Sequence, residues 1–430
     1  MKASLAILLA SFLSILCVTS VVSADVSPGD VIDKTNWQKV EGLLPESILN
    51  WVKNGDFILK IGELNYNIRD YLQPVVQKNL KSNAGKYDLN EKDVLIEVAT
   101  GKLPRYVHGI PFPDVDFNTP KAAQKLMYNK MYLILSFGNG VFPLRTKWVG
   151  SRGFEREVEN VFISVPMDSY EGGESAPNPD NIERYSLVKV LAPFDLDGFA
   201  QLLWRFRDER PDINMAYVPA VRRVRRLSPA NRSDAFLGSD FCIDDTWGYD
   251  GKINLMQWKV LGKQEALLPY SSPNPERIVQ NEQGEWLSVP EVTPHVYGYE
   301  TEGWKGAPWA PVNFIWVKRT VWLIEAVAKD PYYNYGRQII WCDPEAYNPC
   351  IKVIYDRAGN YWKTSYNQLY VSESADRKVR VMQLAIQNMV DDRLRHAGIT
   401  ECASKRNIWV YFAKVDMNDF TVAGFQKYCK

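Results

Sequence analysis

The chain has 430 residues, and its 51 Lys and Arg are balanced by 51 Asp and Glu. That balance excludes a nucleic-acid binder, which carries a clear basic excess. Apolar residues make up 46% of the chain and include 14 Trp, enough for one large core or two smaller ones.

The N-terminus reads as a secretory signal. Lys2 precedes an apolar run from Ala3 to Val22, and Val22-Ser23-Ala24 offers the small residues signal peptidase needs, so residues 1–24 are expected to be cleaved off. Cys17 follows Ile15-Leu16, whereas a lipid anchor needs a small residue beside its Cys. No later run is long and apolar enough to span a membrane, so the processed chain is expected to be exported and not membrane-spanning.

Residues 25–118 have mixed signals. The spacing of Ile48 and Val52 predicts a short helix from Pro45 to Lys53, stopped at Gly55, and Phe57 to Ile61 reads as a strand. Leu103 to Asn118 is rich in Pro and Asp and reads as an extended wrapping loop. Residues 119–430 form the main domain. Thr119 and Pro120 predict a helix start as N-cap and first helical residue, with Ala123, Leu126, Met127 and Met131 as its apolar stripe.

From Pro143 to Lys263, short runs rich in β-branched and aromatic residues alternate with Gly, Pro and Asp, the pattern of successive antiparallel strands. Leu268 to Ser288 is rich in Pro, Asn and Glu and is expected to be a surface loop. Strands resume at Val312 to Ala328, Gln338 to Trp341 and Ile351 to Tyr355, and Asp356 to Asn360 makes a hairpin turn. Val379 to Met389 fits strand or helix. Ile408 to Val415 reads as a strand, and Asn418 or Asp419 is expected to cap a final helix. The sum is an α+β fold, a large antiparallel sheet with a few helices.

The segment Tyr217 to Asp250 concentrates charge. Val218 to Val224 reads as a strand, with Pro219 at an edge or a bulge, and Arg222, Arg223, Arg225 and Arg226 then fall on both of its faces. Beyond a Ser228-Pro229 turn come Asp240, Asp244, Asp245 and Asp250. Arg forks pair bidentately with carboxylates, which predicts a structural ion-pair network including Asp240, Asp244 and Asp245. The other readings give one or more of the Arg to an anionic head group, or the Asp cluster to a metal, for which no ligand spacing speaks.

Export permits disulfides. Cys342 and Cys350 bracket a turn-rich segment that a bridge would close, and a Cys402–Cys429 bridge would tie down the tail. Cys242 is left over and reads as a buried small hydrophobe.

No G-x-S-x-G, G-x-G-x-x-G or Walker A motif is present, and no cofactor is implied. His108, His295 and His396 are far apart and stand in no metal-binding spacing. Asp195-Leu196-Asp197-Gly198 lacks the flanking carboxylates of a calcium loop. What remains is aromatic surface. Trp204, Phe206, Trp258, Phe314, Trp316, Trp322, Trp341 and Trp362 lie on expected strands. They either fill an ordinary core or line the concave face of a strongly curved sheet.

Several motifs carry a family resemblance. They are His108-Gly109-Ile110-Pro111-Phe112-Pro113, the strand Phe199 to Arg207, Tyr217-Val218-Pro219 with the Arg run, Asp244-Asp245, Lys329-Asp330-Pro331 leading to Tyr335-Gly336, and Tyr355-Asp356-Arg357-Ala358-Gly359. The chain resembles a family of uncharacterised bacterial periplasmic proteins with an outer-membrane lipoprotein-sorting-like fold. The resemblance implies a periplasmic protein built as a half-open antiparallel barrel, with helices closing a concave face that holds a lipid-like molecule. It also implies an exporter of the resistance-nodulation-division type as partner. It carries over no catalytic residues.

The expectation is therefore a carrier or binding protein for a hydrophobic ligand. Trp204, Phe206, Trp258, Trp316 and Trp322 would line its cavity, and Arg222, Arg223, Arg225 or Arg226 would meet a head group. The alternatives are an envelope hydrolase using the Asp cluster with a nearby His, and a structural envelope-assembly protein.

Overall fold

The computed structural model describes residues 26–170, 173, 177–228, 232–289, 295–402 and 408–429, with backbone alone at 370, 383–386 and 402. The expected signal segment and Cys17 lie outside the described residues.

The N-terminal part contains β1 (Val31–Ile32), α1 (Glu46–Lys53), β2 (Leu59–Gly62), α2 (Pro74–Asn83), β3 (Tyr87–Leu89) and β4 (Leu95–Glu97). Helix α3 (Ala122–Leu135) follows and is buried on every side but at Lys125. A helix enclosed all round needs an apolar sequence all round, and MYNKMYLIL comes close to that. Its start differs from expectation: the helix begins after Lys121, which sits at φ 65 with no side-chain cap, and neither Thr119 nor Pro120 belongs to it. The tertiary packing of the helix outweighs the missing cap.

Strands β5 (Gly140–Gly150), β6 (Gly153–Pro166), β7 (Ile182–Ala192), β8 (Ala200–Phe206), β9 (Ile213–Val218) and β10 (Arg223–Leu227) form an antiparallel meander. The second half contains β11 (Met256–Tyr270), β12 (Glu276–Gln280), β13 (Trp286–Ser288), β14 (Ile315–Ala328), β15 (Arg337–Asp343), β16 (Asn348–Tyr355), β17 (Tyr361–Glu373), β18 (Arg380–Asp391), β19 (His396–Cys402) and β20 (Val410–Tyr411), before α4 (Val422–Tyr428). β19 pairs with β5, which joins the halves into one sheet running β10-β9-β8-β7-β6-β5-β19-β18-β17-β16-β15-β14-β11. β2 adds parallel to β14. The sheet does not close into a barrel: among the described residues β10 pairs with β9 alone, leaving an open edge. The expected large antiparallel sheet with few helices is what the chain forms.

Three local readings are corrected. Pro219 makes neither an edge nor a bulge within one strand. It opens a 3-10 turn, Pro219–Val221, and Arg222 follows at φ 51, so the expected strand is a hairpin of two. The stretch Leu268 to Ser288 is not a plain surface loop. It holds the end of β11 and all of β12 and β13, with Leu268 and Ile278 buried. The final helix is capped by Thr421, whose side chain accepts from Gly424 N, while Asn418 and Asp419 lie in the preceding 3-10 turn.

The largest core lies in the second half, where α1 and α3 pack with β11 and β14–β18. A separate core joins α4 to one face of β7–β9 through Leu187, Leu202, Phe420 and Phe425. The opposite face of those strands carries the candidate site.

Candidate functional site

Alternation along β7 and β8 sets what that face presents. Arg184, Ser186 and Val188 point one way from β7, and Gln201, Leu203 and Arg205 do so from β8, while Leu187, Leu202 and Trp204 point toward α4. Register aligns the rows: Phe142, Phe162, Val188 and Gln201 lie side by side, as do Ser186, Leu203 and Asn214. This face is not left to water. The segment from Phe236 to Asp250, with 3-10 turns at Phe236–Gly238 and Ile243–Gly248, crosses it as a cap. Between sheet and cap lies a cavity of about 150 Å³ that is partly open to solvent. Phe142, Leu144, Phe162, Val188, Leu203, Phe236, Phe241, Ile243, Trp247 and Trp409 supply its apolar wall, and Thr146, Asn160, Ser186, Gln201, Asn214, Ser239, Thr246, Asp250, Gln387 and Thr400 its polar one.

The cap is pinned along its length. Trp148 Nε1 donates to Gly238 O at 3.0 Å and Lys363 Nζ to Asp240 O at 2.8 Å. Gln387 accepts from Trp247 N at 2.9 Å and donates to Asp245 O at 2.7 Å. Gly248 has φ 80, and a Cβ there would lie 2.8 Å from Pro349 O, so this turn needs glycine to seat against β16.

The acid cluster belongs to this cap, and its partners are not the Arg run. Asp240 meets His396 Nδ1 at 2.6 Å. Asp244 accepts from Arg232 at 2.7 Å and from Tyr333 OH at 3.0 Å. Asp245 pairs with Lys352 and accepts from Tyr335 OH at 2.8 Å. Asp250 pairs with Arg184 and lies 3.5 Å from Arg205, which also holds Asp212 at 3.0 Å. Burial pushes the Asp250 carboxyl up, but Arg184, Arg205 and Lys130 outweigh it and hold it below its ordinary value. The same burial leaves Glu183 raised and brings Lys130 down to about 7.

Arg222, Arg223, Arg225 and Arg226 are all exposed, at or beside the open edge β10, while Val224 between them packs on the α4 core. None of the aromatic residues expected at the ligand lines the cavity. Trp204 points to the α4 side and donates from Nε1 to Phe420 O at 2.9 Å. Phe206 packs with Met167 and Ile182. Trp258 stands edge-on to Tyr249, Trp316 is fully buried in the large core, and Trp322 stacks on Phe117 at 3.9 Å. The cavity residues were missed because polar alternation in ERYSLVKVLA and AQLLWRF is the usual mark of a solvated face. The one signal was in the cap, where Phe236, Phe241 and Trp247 crowd a turn-rich segment.

The Cys342–Cys350 bridge is not formed. Cys342 and Cys350 are buried free thiols on paired strands, in a hairpin already closed by the backbone pairing of Asp343 with Asn348. Burial raises both thiols, as expected of inert cysteines. Cys429 is a free thiol packed in the α4 core, and the side chain of Cys402 lies outside those described. Cys242 is buried and free, as read. The three His do not converge: His295 packs edge-on to Phe314, His108 bridges Ser169, and His396 meets Asp240. Among the described residues no group of three His, Cys, Asp or Glu could hold a metal ion. No described helix is long and apolar enough to cross a membrane.

Fold and site together define a class: an open antiparallel sheet whose one face is capped to enclose an amphipathic cavity. The family described as "Protein of unknown function (DUF1329)" matches residues 31–426, and the chain belongs to it. This is the membership the sequence motifs implied. Among solved structures, the chain is similar to a domain from Vibrio parahaemolyticus described as an outer membrane lipoprotein-sorting protein, at 15% identity and TM-score 0.47, covering 70% of this chain and 97% of that one. It is similar to a DUF1329 family protein from Desulfovibrio piger at 13% identity and TM-score 0.47, covering 70% and 96%. It is also similar to a LolA superfamily protein from Nitrosomonas europaea at 13% identity and TM-score 0.40, covering 70% and 97%. A comparison with curated proteins finds no match.

Proposed function

We propose that the protein is a periplasmic binding or carrier protein for a hydrophobic, lipid-like ligand held between the β5–β9 face and its cap. The observation that carries this reading is the cavity itself: Phe142, Phe162, Val188 and Leu203 of one strand face and Phe236, Phe241 and Trp247 of the cap line it, beside a small core in which Phe142, Phe162 and Trp247 also pack. Each methylene of an apolar chain buried there would supply roughly 0.8 kcal/mol gross. Ordering and association costs reduce that to an affinity from which the ligand is released.

The test is native mass spectrometry of the mature protein from a periplasmic extract, followed by organic extraction. A discrete apolar mass is expected, absent from Leu203→Trp, in which an indole fills the cavity. A ligand-free mass, with no uptake of apolar probes, overturns the reading. Handing over to a resistance-nodulation-division type exporter is the part of the reading supported by the family resemblance alone. Co-purification of such an exporter after in vivo crosslinking tests it.

A further inference from the structure

The wall of the cavity is unequal in a way that selects among ligands. Asp250 is its one ionised group among the described residues, and that charge is already matched by Arg184 and Arg205 behind it. Two oxygens at this end, Ser186 Oγ and Asn214 Oδ1, have no hydrogen-bond partner among the described residues, and a third, Asp250 Oδ1, has only the Arg205 guanidinium at 3.5 Å. Ser186 stands two residues along β7 from Arg184, on the same face, and Asn214 lies across Leu203 in the same row. Two of the three oxygens can only accept, and the third accepts as readily as it donates. A buried acceptor left without a donor costs stability, so a molecule that supplies O–H groups here relieves that cost.

Resting on the reading of the cavity as a ligand site, we infer that the ligand is an uncharged amphiphile whose polar end donates hydrogen bonds through hydroxyl groups, and not a fatty acid or phospholipid. A carboxylate or phosphate entering this end meets the Asp250 carboxylate first, in surroundings that screen poorly, and finds Arg184 and Arg205 already engaged. An ammonium group fares no better, because the two guanidinium groups have used the negative charge of Asp250. A hydroxyl meets neither objection. Its chain would then run along Phe142, Phe162 and Val188.

The experiment compares retinol with retinoate, which share a chain and differ at one end. Trp247 and Trp409 on the wall report binding by energy transfer. Retinol is expected to bind at least about tenfold more tightly at pH 7.4. Ser186→Ala and Asn214→Leu are each expected to weaken retinol about three- to tenfold and to leave thermal unfolding and retinoate affinity nearly unchanged. Leu203→Trp is expected to abolish both. Retinoate binding as tightly as retinol, or retinol indifferent to both polar substitutions, overturns the inference while the cavity reading stands. Binding of neither compound, together with a ligand-free protein by mass spectrometry, overturns both.

Discussion

His396 Nδ1 and Asp240 Oδ2 lie 2.6 Å apart and join β19 to the cap. The hydrogen bond with Asp240 raises the His396 pKa above its ordinary 6.5, against partial burial, and Glu155 on β6 adds to the rise. A histidine held more basic in the fold than in the unfolded chain stabilises the fold where it is protonated. The contribution is complete below about 6.5 and disappears as pH rises through the folded value. His396→Gln is expected to flatten this part of the stability–pH curve and to cost about 1 kcal/mol at pH 5.5, and almost nothing at pH 9. Urea unfolding across that range checks it; an unchanged curve rejects the role.

The buried cluster of Arg184, Arg205, Asp212 and Asp250 is matched charge for charge, and removing one member leaves its partner desolvated. Arg205→Met is expected to destabilise by about 3–5 kcal/mol, whereas breaking an exposed, solvent-screened ion pair such as Lys92–Glu209 is expected to leave stability nearly unchanged. Denaturant midpoints of Arg205→Met and Lys92→Met measure the contrast. Equal midpoints would mean that the cluster is wetter than its burial indicates.

Trp316 was a candidate for ligand contact and is a core residue, fully buried near Tyr366. Trp316→Ala is expected to cost about 3–5 kcal/mol. Arg225→Ala and Arg226→Ala, on the exposed edge, should each shift stability by less than about 0.5 kcal/mol. Thermal unfolding of the three variants separates core from surface.

Cys342 and Cys350 are free and deeply buried. In the folded protein a thiol reagent is expected to leave them unmodified, and a reducing agent to leave the unfolding temperature unchanged. After denaturation without reductant both should react. Mass spectrometry of the alkylated protein reads the result, and a mass lacking both adducts would reveal a bridge.

Much of the sheet was legible because β-branched and aromatic runs between Gly, Pro and Asp mark strands wherever they lie. Val379 to Met389, ambiguous by periodicity, becomes β18 because it pairs along both edges, with β17 and β19. The helix at α1 was read within a residue, from Ile48 and Val52. The candidate site was far less legible. A period of two separates the faces of a strand but not which face a distant segment will cover. Ser186 and Gln201 look solvent-facing until residues 236–250 are laid across them. The four Arg of the run lie close in sequence to the four Asp, yet the hairpin at Pro219 carries them to the rim, and Arg232 together with cations from β7, β8, β16 and β19 reaches the carboxylates instead.

The open edge at β10 has a bearing on how the protein behaves when crowded. Its backbone donors and acceptors offer a template on which a strand from another molecule could pair. Two copies meeting edge to edge in the antiparallel register that sets Val224 on Val224 would place Arg223 of each opposite Arg225 of the other, and like charges directly opposite oppose pairing. The arginine run thus acts as a terminator for the sheet, keeping a structure that never closes on itself from being extended by its neighbours. Its hold weakens as added salt shortens the reach of those charges.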